Sequence, residues 1–218
     1  MVAVDGGTFV MGAPDADTEA DANEKPQHFV TLSDYYIGET EVTQALWKAV
    51  MGENPSNFVG DQLPVEKVSW DDCQEFLTKL NEITGQTFRL PTEAEWEFAA
   101  RGGNQSKGYK YSGSNDIDVV ARYYGNSEDE THEVGTKTAN ELGIYDMNGN
   151  VWEWCQDWYG DYSGEIQTNP TGPETGSYRV VRGGSWICSA RSCRLSYRGV
   201  SSPSLQDDDL GLRLALSK

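Results

Sequence analysis

Arg182-Gly-Gly-Ser-Trp186 begins a segment that ends at Leu210-Gly-Leu-Arg213, and regularly spaced framework residues in it alternate with chemically varied ones. Neither the helical nor the strand period accounts for that order. We expect the framework to fix the chain while the residues between face solvent. The framework residues are Gly183, Gly184, Ser185, Trp186, Ala190, Arg191, Cys193, Arg194, Arg198, Pro203, Gly211 and Arg213.

Composition limits the classes of partner. The chain has 218 residues and a formal net charge of −18, from 17 Lys and Arg against 35 Asp and Glu. Such a chain offers no basic patch to displace the counterions of a polyanion, which excludes nucleic acid and anionic membranes as good partners. No apolar run approaches the roughly 20 residues that cross a bilayer, so no transmembrane segment is predicted. We expect one domain over residues 1–218 and a monomer.

Cysteine and histidine are scarce. Four cysteines are too few for a disulfide scaffold in a chain of this size. His28 and His132 are the only histidines and lie in different contexts, which argues against a histidine metal centre or a Ser-His-Asp hydrolase. Met1 is followed at once by sequence that reads as folded, so no signal peptide is recognised. Either the protein is cytoplasmic or its targeting segment lies outside this sequence.

The first half shows regular elements and the second half does not. Strands are predicted over 7–12, 28–32 and 35–37, and a short helix over 44–51. Capping boxes at Ser69 and Thr92 predict two main helices, one to Gly85 and one to Arg101. Beyond residue 102, only 178–182 and 212–216 are predicted as strands between long loops. The pattern indicates an α+β protein with high irregular content.

Several sequence blocks identify a family resemblance. They occur in the order Gly6-Gly-Thr-Phe-Val-Met-Gly12, Glu39-Thr-Glu-Val-Thr43, Pro64-Val-Glu-Lys-Val-Ser-Trp70, Arg89-Leu-Pro-Thr-Glu-Ala-Glu-Trp96, Asn140-Glu-Leu-Gly-Ile-Tyr145, Gly149-Asn-Val-Trp-Glu-Trp154 and Arg182-Gly-Gly-Ser-Trp186. Together they resemble the formylglycine-generating-enzyme, or sulfatase-modifying-factor, domain. The resemblance implies an elaborated C-type-lectin-like fold with small antiparallel sheets and two main helices. The family includes oxidases, non-catalytic accessory domains and retroelement-diversified variable proteins, so the fold alone does not give the function.

One interpretation is catalytic. Cys188 and Cys193 stand where the family's oxidases carry their copper-binding cysteine pair, at the same spacing. Two thiolates suit Cu(I), provided that the surroundings favour the ionised form. This resemblance implies a copper-dependent formylglycine-generating oxidase that acts on a sulfatase cysteine. Against it, Ser189 stands where those enzymes often have histidine, and the loop from Cys193 to Gly211 is shorter than theirs.

The favoured interpretation is a non-enzymatic recognition protein that needs no cofactor. Its segment 182–213 resembles the segment that a diversity-generating retroelement varies in other members of the family. In such segments the template has asparagine codons, and these are mutated at their adenines. Most of the varied residues are reachable from AAC by adenine changes alone, and Cys188 is then a chance occupant. A protein or glycan ligand and display at the cell surface or outside the cell are expected. The predicted ligand-binding residues are Trp186, Ile187, Cys188, Ser189, Ser192, Leu195, Tyr197, Gly199, Val200, Ser201, Ser202, Leu205, Asp207, Asp208 and Asp209.

A calcium site is a further expectation. The sequence from Asp146 to Glu153 offers oxygen ligands in a tight turn, which suits a hard cation. The resemblance implies structural calcium at the carboxylates of Asp146 and Glu153 and the carbonyls of Gly149 and Val151. The alternative is that the asparagines of this turn serve the turn itself and that Glu153 pairs with an arginine.

Overall fold

The computed structural model describes residues 1–218 and confirms the α+β prediction. The strands are β1 (Val2–Val4), β2 (Gly7–Met11), β3 (His28–Leu32), β4 (Tyr35–Ile37), β5 (Phe88–Arg89), β6 (Trp152–Trp158), β7 (Gln167–Thr168), β8 (Arg179–Arg182), β9 (Gly199–Ser201), β10 (Leu210–Gly211) and β11 (Ala215–Ser217). The helices are α1 (Gln44–Met51), α2 (Trp70–Thr84), α3 (Glu93–Ala100) and the single turn α4 (Ile117–Val120). No helix has the length and apolar character that a membrane crossing requires.

The helices begin and end where their caps predict. The side chain of Ser69 accepts a hydrogen bond from the Asp72 amide, and the Asp72 carboxylate accepts one from the Ser69 amide. These two bonds complete the capping box of α2. Thr92 and Glu95 form the same box at α3. Left-handed Gly85 ends α2. These local signals explain why both helices were predictable from sequence.

Three small sheets organise the chain. Their strand orders are β1-β4-β11-β5, β10-β6-β8-β9 and β2-β3-β7. The sheets are not purely antiparallel as expected, because β10 pairs with β6 and β7 pairs with β3 in parallel. The strand expected over 212–216 is also wrong: the chain leaves β10 at Gly211 and re-enters a different sheet at Ala215.

The central sheet separates two apolar clusters. On β6, Trp154 packs into the cluster with α1 and α2, while its neighbour Cys155 packs into the cluster with α3. On β8, Val181 and Val180 divide in the same way. Because successive side chains of a strand point to opposite faces, the sheet is buried on both sides. The strand that carries the varied segment, β9, therefore lies on a rigid base.

Candidate ligand-binding site

Arg182 fixes the backbone of the varied segment. Its side chain is fully buried at the end of β8 and pairs with the buried carboxylate of Glu97. Its other terminal nitrogen donates to the carbonyl oxygens of Ser196, at 3.2 Å, and Tyr197, at 2.6 Å, while the Glu97-bound nitrogen also donates to Leu195 at 2.8 Å. Such charge-assisted bonds in a water-excluded site are strong and directional. The turn at 195–197 is thereby held against the core.

Three further framework arginines form buried ion pairs with distant acidic residues. The pairs are Arg194 with Glu24, Arg198 with Glu93 and Arg213 with Glu153, at 2.6, 2.6 and 2.7 Å. Burial alone would raise the pKa of Glu93, but the Arg198 charge and hydrogen bonds hold that pKa below its ordinary value. These four arginines are thus buried cations, and each is paired with a glutamate elsewhere in the chain.

The turn after Arg182 requires glycine. Gly184 has a φ of 75°, and a Cβ there would come 2.7 Å from Cys193 Sγ. A larger residue would therefore strain the backbone and displace the buried thiol. The glycines of the framework serve geometry and not recognition.

A groove of roughly 470 Å³ lies over β9 and the loop that follows it. The half-buried indole of Trp152 lies at this groove, with the Tyr197 ring 6.0 Å from it. The predicted ligand-binding residues that line the groove are Tyr197, Gly199, Val200, Ser201, Leu205, Asp207 and Asp209. The structure thus brings together the second half of the predicted set.

The apolar residues among the predicted ligand contacts differ in their exposure to solvent. Ile187, Val200 and Leu205 are 53%, 45% and 43% exposed, which is unusual for aliphatic side chains and makes them available to a partner. Leu195 is 3% exposed and packs in the α3 cluster, so its assignment as a ligand contact is corrected to framework. Trp186 is 7% exposed, with its indole nitrogen donating to the Asp208 carbonyl.

Some groove residues were missed from sequence. Asn23 reaches the groove from the N-terminal loop, and Trp152 from β6. Trp152 is half-buried, whereas Trp154 on the same strand is fully buried. No local signal marks Asn23, because its position depends on contacts between segments that lie far apart in sequence.

The groove is acidic. Asp207, Asp208 and Asp209 form no ion pair in the structure. Asp209 accepts a hydrogen bond from Ser185 Oγ at 2.7 Å, and burial, helped by the charges of the other two, raises its pKa. Arg198 also borders the groove, but Glu93 already neutralises it. The groove therefore has uncompensated negative charge beside exposed apolar groups.

The cysteine pair borders this groove, since Cys188 lies beside Trp152 and near Asp209, and its surroundings favour neutral thiols. Cys193 is fully buried, Cys188 is half-buried, and neither forms a disulfide. Burial raises the pKa of both thiols, and the proximity of Cys188 raises that of Cys193 further. Cys188 Sγ lies 3.2 Å from Ser185 Oγ, whose single proton goes to Asp209, so the neutral thiol is the donor to that oxygen. Two sulfurs are the right donors for Cu(I), which would have to displace the protons that burial retains on both.

The Asp146–Glu153 turn uses its oxygen atoms internally. Both Glu153 oxygens accept from Arg213, at 2.7 and 2.9 Å, and Asp146 accepts from the Gly135 amide. Asn150 bonds to the buried Glu41 and to the backbone of His132. No group of three or more His, Cys, Asp or Glu side chains has metal-binding geometry. In this arrangement Arg213 occupies both oxygens of Glu153 and the Gly135 amide occupies one oxygen of Asp146, which makes these two carboxylates a poor match for a calcium ion.

Removing calcium should therefore leave the fold unchanged. We expect the thermal midpoint of the protein to be the same in excess EGTA as in millimolar CaCl₂, because Arg213 already supplies the cation for Glu153. A site saturated at 100 times its Kd would instead stabilise the fold by about 2.7 kcal/mol. Differential scanning calorimetry in the two buffers measures this, and a midpoint that rises with calcium concentration would restore the calcium site.

Comparisons with known proteins identify the family of this chain. The sulfatase-modifying factor enzyme 1-like domain matches residues 1–218. "Chaperone protein LppX" of Paenibacillus barcinonensis is 36% identical, with 100% of this chain and 89% of that protein aligned. The formylglycine-generating enzyme of Thermomonospora curvata is 32% identical, with 99% and 92% aligned.

A solved structure supports the same assignment. Treponema denticola variable protein 1 superposes with a TM-score of 0.92 at 36% identity, over 100% of this chain and 95% of that one. The elaborated C-type-lectin-like fold expected from sequence is thereby confirmed. The chain belongs to the family of the sulfatase-modifying factor enzyme 1-like domain.

Proposed function

We propose that this protein is a non-enzymatic recognition protein that binds a partner through the groove over β9 and the exposed residues around it. The observation that carries the proposal is the division of the segment 182–213 into two classes. Four of its five arginines are buried and ion-paired, whereas Ile187, Val200 and Leu205 are exposed. A rigid backbone that presents exposed apolar and polar side chains loses little conformational entropy on binding, as in preorganised interfaces.

The groove suggests the chemistry of the partner. Exposed apolar side chains surround the carboxylates of Asp207 and Asp209, and no free cation balances them. A protein surface that presents a lysine or arginine beside aliphatic side chains would match both features. Glycans remain the other class, since the aromatic pair Trp152 and Tyr197 offers a surface for stacking.

We further propose that a diversity-generating retroelement varies the exposed positions. Apart from Gln206, the residues at these positions are reachable from an asparagine AAC codon by changing adenines only, and the similarity to a variable protein of Treponema denticola supports this origin. Leu195 is buried and so belongs to the framework that must stay constant. The test is the flanking DNA, where a reverse transcriptase gene and an adenine-rich near-copy of this segment are expected.

A recognition protein of this kind acts at the cell surface or outside the cell, which is the location that we propose. The binding test uses the purified chain on a protein array and a glycan array, side by side with the variant Ile187→Ser/Val200→Ser/Leu205→Ser. We expect the partners retained by the wild type to be lost by the variant. An array on which both chains retain the same partners would contradict the proposal.

The same protein should lack oxidase activity. The chain is reconstituted with Cu(I) and incubated with oxygen and a peptide that contains the Cys-x-Pro-x-Arg motif. We expect no aldehyde by mass spectrometry, because Cys193 is fully buried against Gly184 and Ser189 stands where the oxidases often have histidine. The formylglycine-generating enzyme of Thermomonospora curvata serves as the positive control. Turnover that disappears in Cys188→Ser would establish the oxidase instead.

A further inference from the structure

A second cavity, of roughly 490 Å³, lies away from the varied residues. It is bounded by the N-terminus of α3, the C-terminal end of β6 and the loop of residues 159–173. Its size falls in the range of about 300–1,000 Å³ that is typical of small-molecule sites. The side chains that matter for its chemistry are His28, Glu93, Asp157, Tyr162 and Arg198.

The other carboxylates packed inside this region have their own partners. Glu93 accepts from Arg198 Nε and Nη2, at 2.6 and 2.8 Å, and from the Tyr162 hydroxyl at 3.2 Å. Glu95, on the same helix, accepts both terminal nitrogens of Arg89. The charge of each is therefore balanced inside the protein.

Asp157 is the exception. It is 4% exposed, and its Oδ2 atom accepts from the Glu93 amide at 2.9 Å. Its other oxygen, Oδ1, receives no hydrogen bond from the protein, and Asp157 forms no ion pair. The nearby Arg179 guanidinium is sandwiched at 3.7 and 3.5 Å from the Trp70 and Trp158 ring centroids, and it donates to the Gln156 carbonyl. A buried carboxylate thus borders the cavity, and no cation lies within ion-pair distance of it.

The cavity provides a second acceptor. His28 is 4% exposed, its Nδ1 atom lies 3.2 Å from the Pro26 carbonyl oxygen, and its ring stacks on Tyr162. If Nδ1 carries the proton that this carbonyl accepts, Nε2 is an acceptor. Asp161 adds a carboxylate at the rim. The cavity thus places several acceptors around Asp157, and these suit a ligand with positively charged N–H donors.

Titration of Asp157 is consistent with a missing cation. Burial raises its pKa to about 8, with the charges of Glu93 and Glu95 adding to the rise and Arg198 opposing it. Without a ligand the carboxyl group is protonated near neutral pH, since an unpaired buried charge is costly. A cation beside Oδ1 would favour the ionised form.

We infer that this cavity binds a small organic ammonium ion, with Asp157 Oδ1 as its counter-charge. A divalent metal fits less well, because no three carboxylate, histidine or cysteine side chains converge there. An ammonium group needs only a few acceptors, and the cavity leaves room for the organic part. Binding at pH 7 must release the Asp157 proton, because the carboxyl group ionises as the ammonium ion enters.

The test uses two probes that differ in one group. Ethanolammonium carries the ammonium ion, and ethylene glycol replaces it with a hydroxyl. Isothermal titration in two pH 7 buffers of different ionisation enthalpy measures both affinity and proton release. We expect saturable binding of ethanolammonium with release approaching about one proton per chain, and no saturable binding of ethylene glycol. Absence of ethanolammonium binding, equal binding of the two probes, or binding without proton release would each overturn the inference.

Two variants locate the site. Asp157→Asn keeps an oxygen for the Glu93 amide but removes the charge, so we expect it to fold and to lose at least tenfold in ethanolammonium affinity together with the proton release. Asp15→Asn removes an equivalent charge from an exposed loop and should bind as the wild type does. Wild-type affinity in Asp157→Asn would overturn the assignment. The wild-type proton release tests the inference even if that variant does not fold.

Discussion

Replacing Arg182 with methionine is expected to lower the free energy of unfolding by about 3–5 kcal/mol. The change removes the partner of Glu97 Oε2, although Arg101 stays paired with Oε1, and it leaves three backbone carbonyls of the 195–197 turn without their donor. Methionine fills much of the volume, so the loss reports the unpaired oxygens more than a cavity. A typical domain is stable by only about 5–15 kcal/mol. Urea unfolding followed by tryptophan fluorescence measures the effect.

An exposed arginine of the same segment is the matched control. Arg191 pairs with Asp21, and both side chains are nearly half exposed. Arg191→Met should therefore unfold at nearly the wild-type urea concentration. If Arg182→Met proved as stable as Arg191→Met, the buried ion pairs would not be what holds the segment.

The second large effect is on binding. The variant Ile187→Ser/Val200→Ser/Leu205→Ser is expected to weaken binding of a protein partner by more than about 30-fold, since a single interface anchor contributes about 2 kcal/mol or more. All three side chains are about half exposed. Its thermal midpoint should therefore change by less than about 4 °C. Surface plasmon resonance with a partner selected on the wild-type chain gives the affinity.

The control changes the same kinds of side chain elsewhere. Phe29, Ile83 and Ile166 are 53%, 67% and 77% exposed, and none lines the groove. The variant Phe29→Ser/Ile83→Ser/Ile166→Ser should retain the wild-type affinity. Equal loss of affinity in both variants would indicate a general dependence on surface apolarity and would contradict a specific face.

Local signals made part of the fold predictable. Ser69 and Thr92 determine where α2 and α3 begin through contacts within a few residues, and the sequence contains every partner in those contacts. Strand β6 was missed because it is buried on both faces and has no polar–apolar alternation. Its buried Glu153 is intelligible only with Arg213, which lies 60 residues away.

The same limit applies to the site. Sequence separated the framework from the varied residues, and of the framework arginines the structure buries Arg194, Arg198 and Arg213 and leaves Arg191 exposed. Leu195 and Leu205 were indistinguishable in sequence, yet one packs in the core and the other is 43% exposed. Trp152 and Asn23 complete the groove from other parts of the chain. Which side of a loop faces solvent depends on contacts across the whole fold.

The most direct test of recognition through this face is a hydrogen-exchange footprint of the wild-type chain with and without a partner selected on it. Binding should slow exchange of backbone amides between residues 187 and 209, including those of β9 that border the groove. Amides of the 159–173 loop, at the other cavity, should exchange at the same rate in both states. Protection confined to residues outside 187–209 would contradict the account.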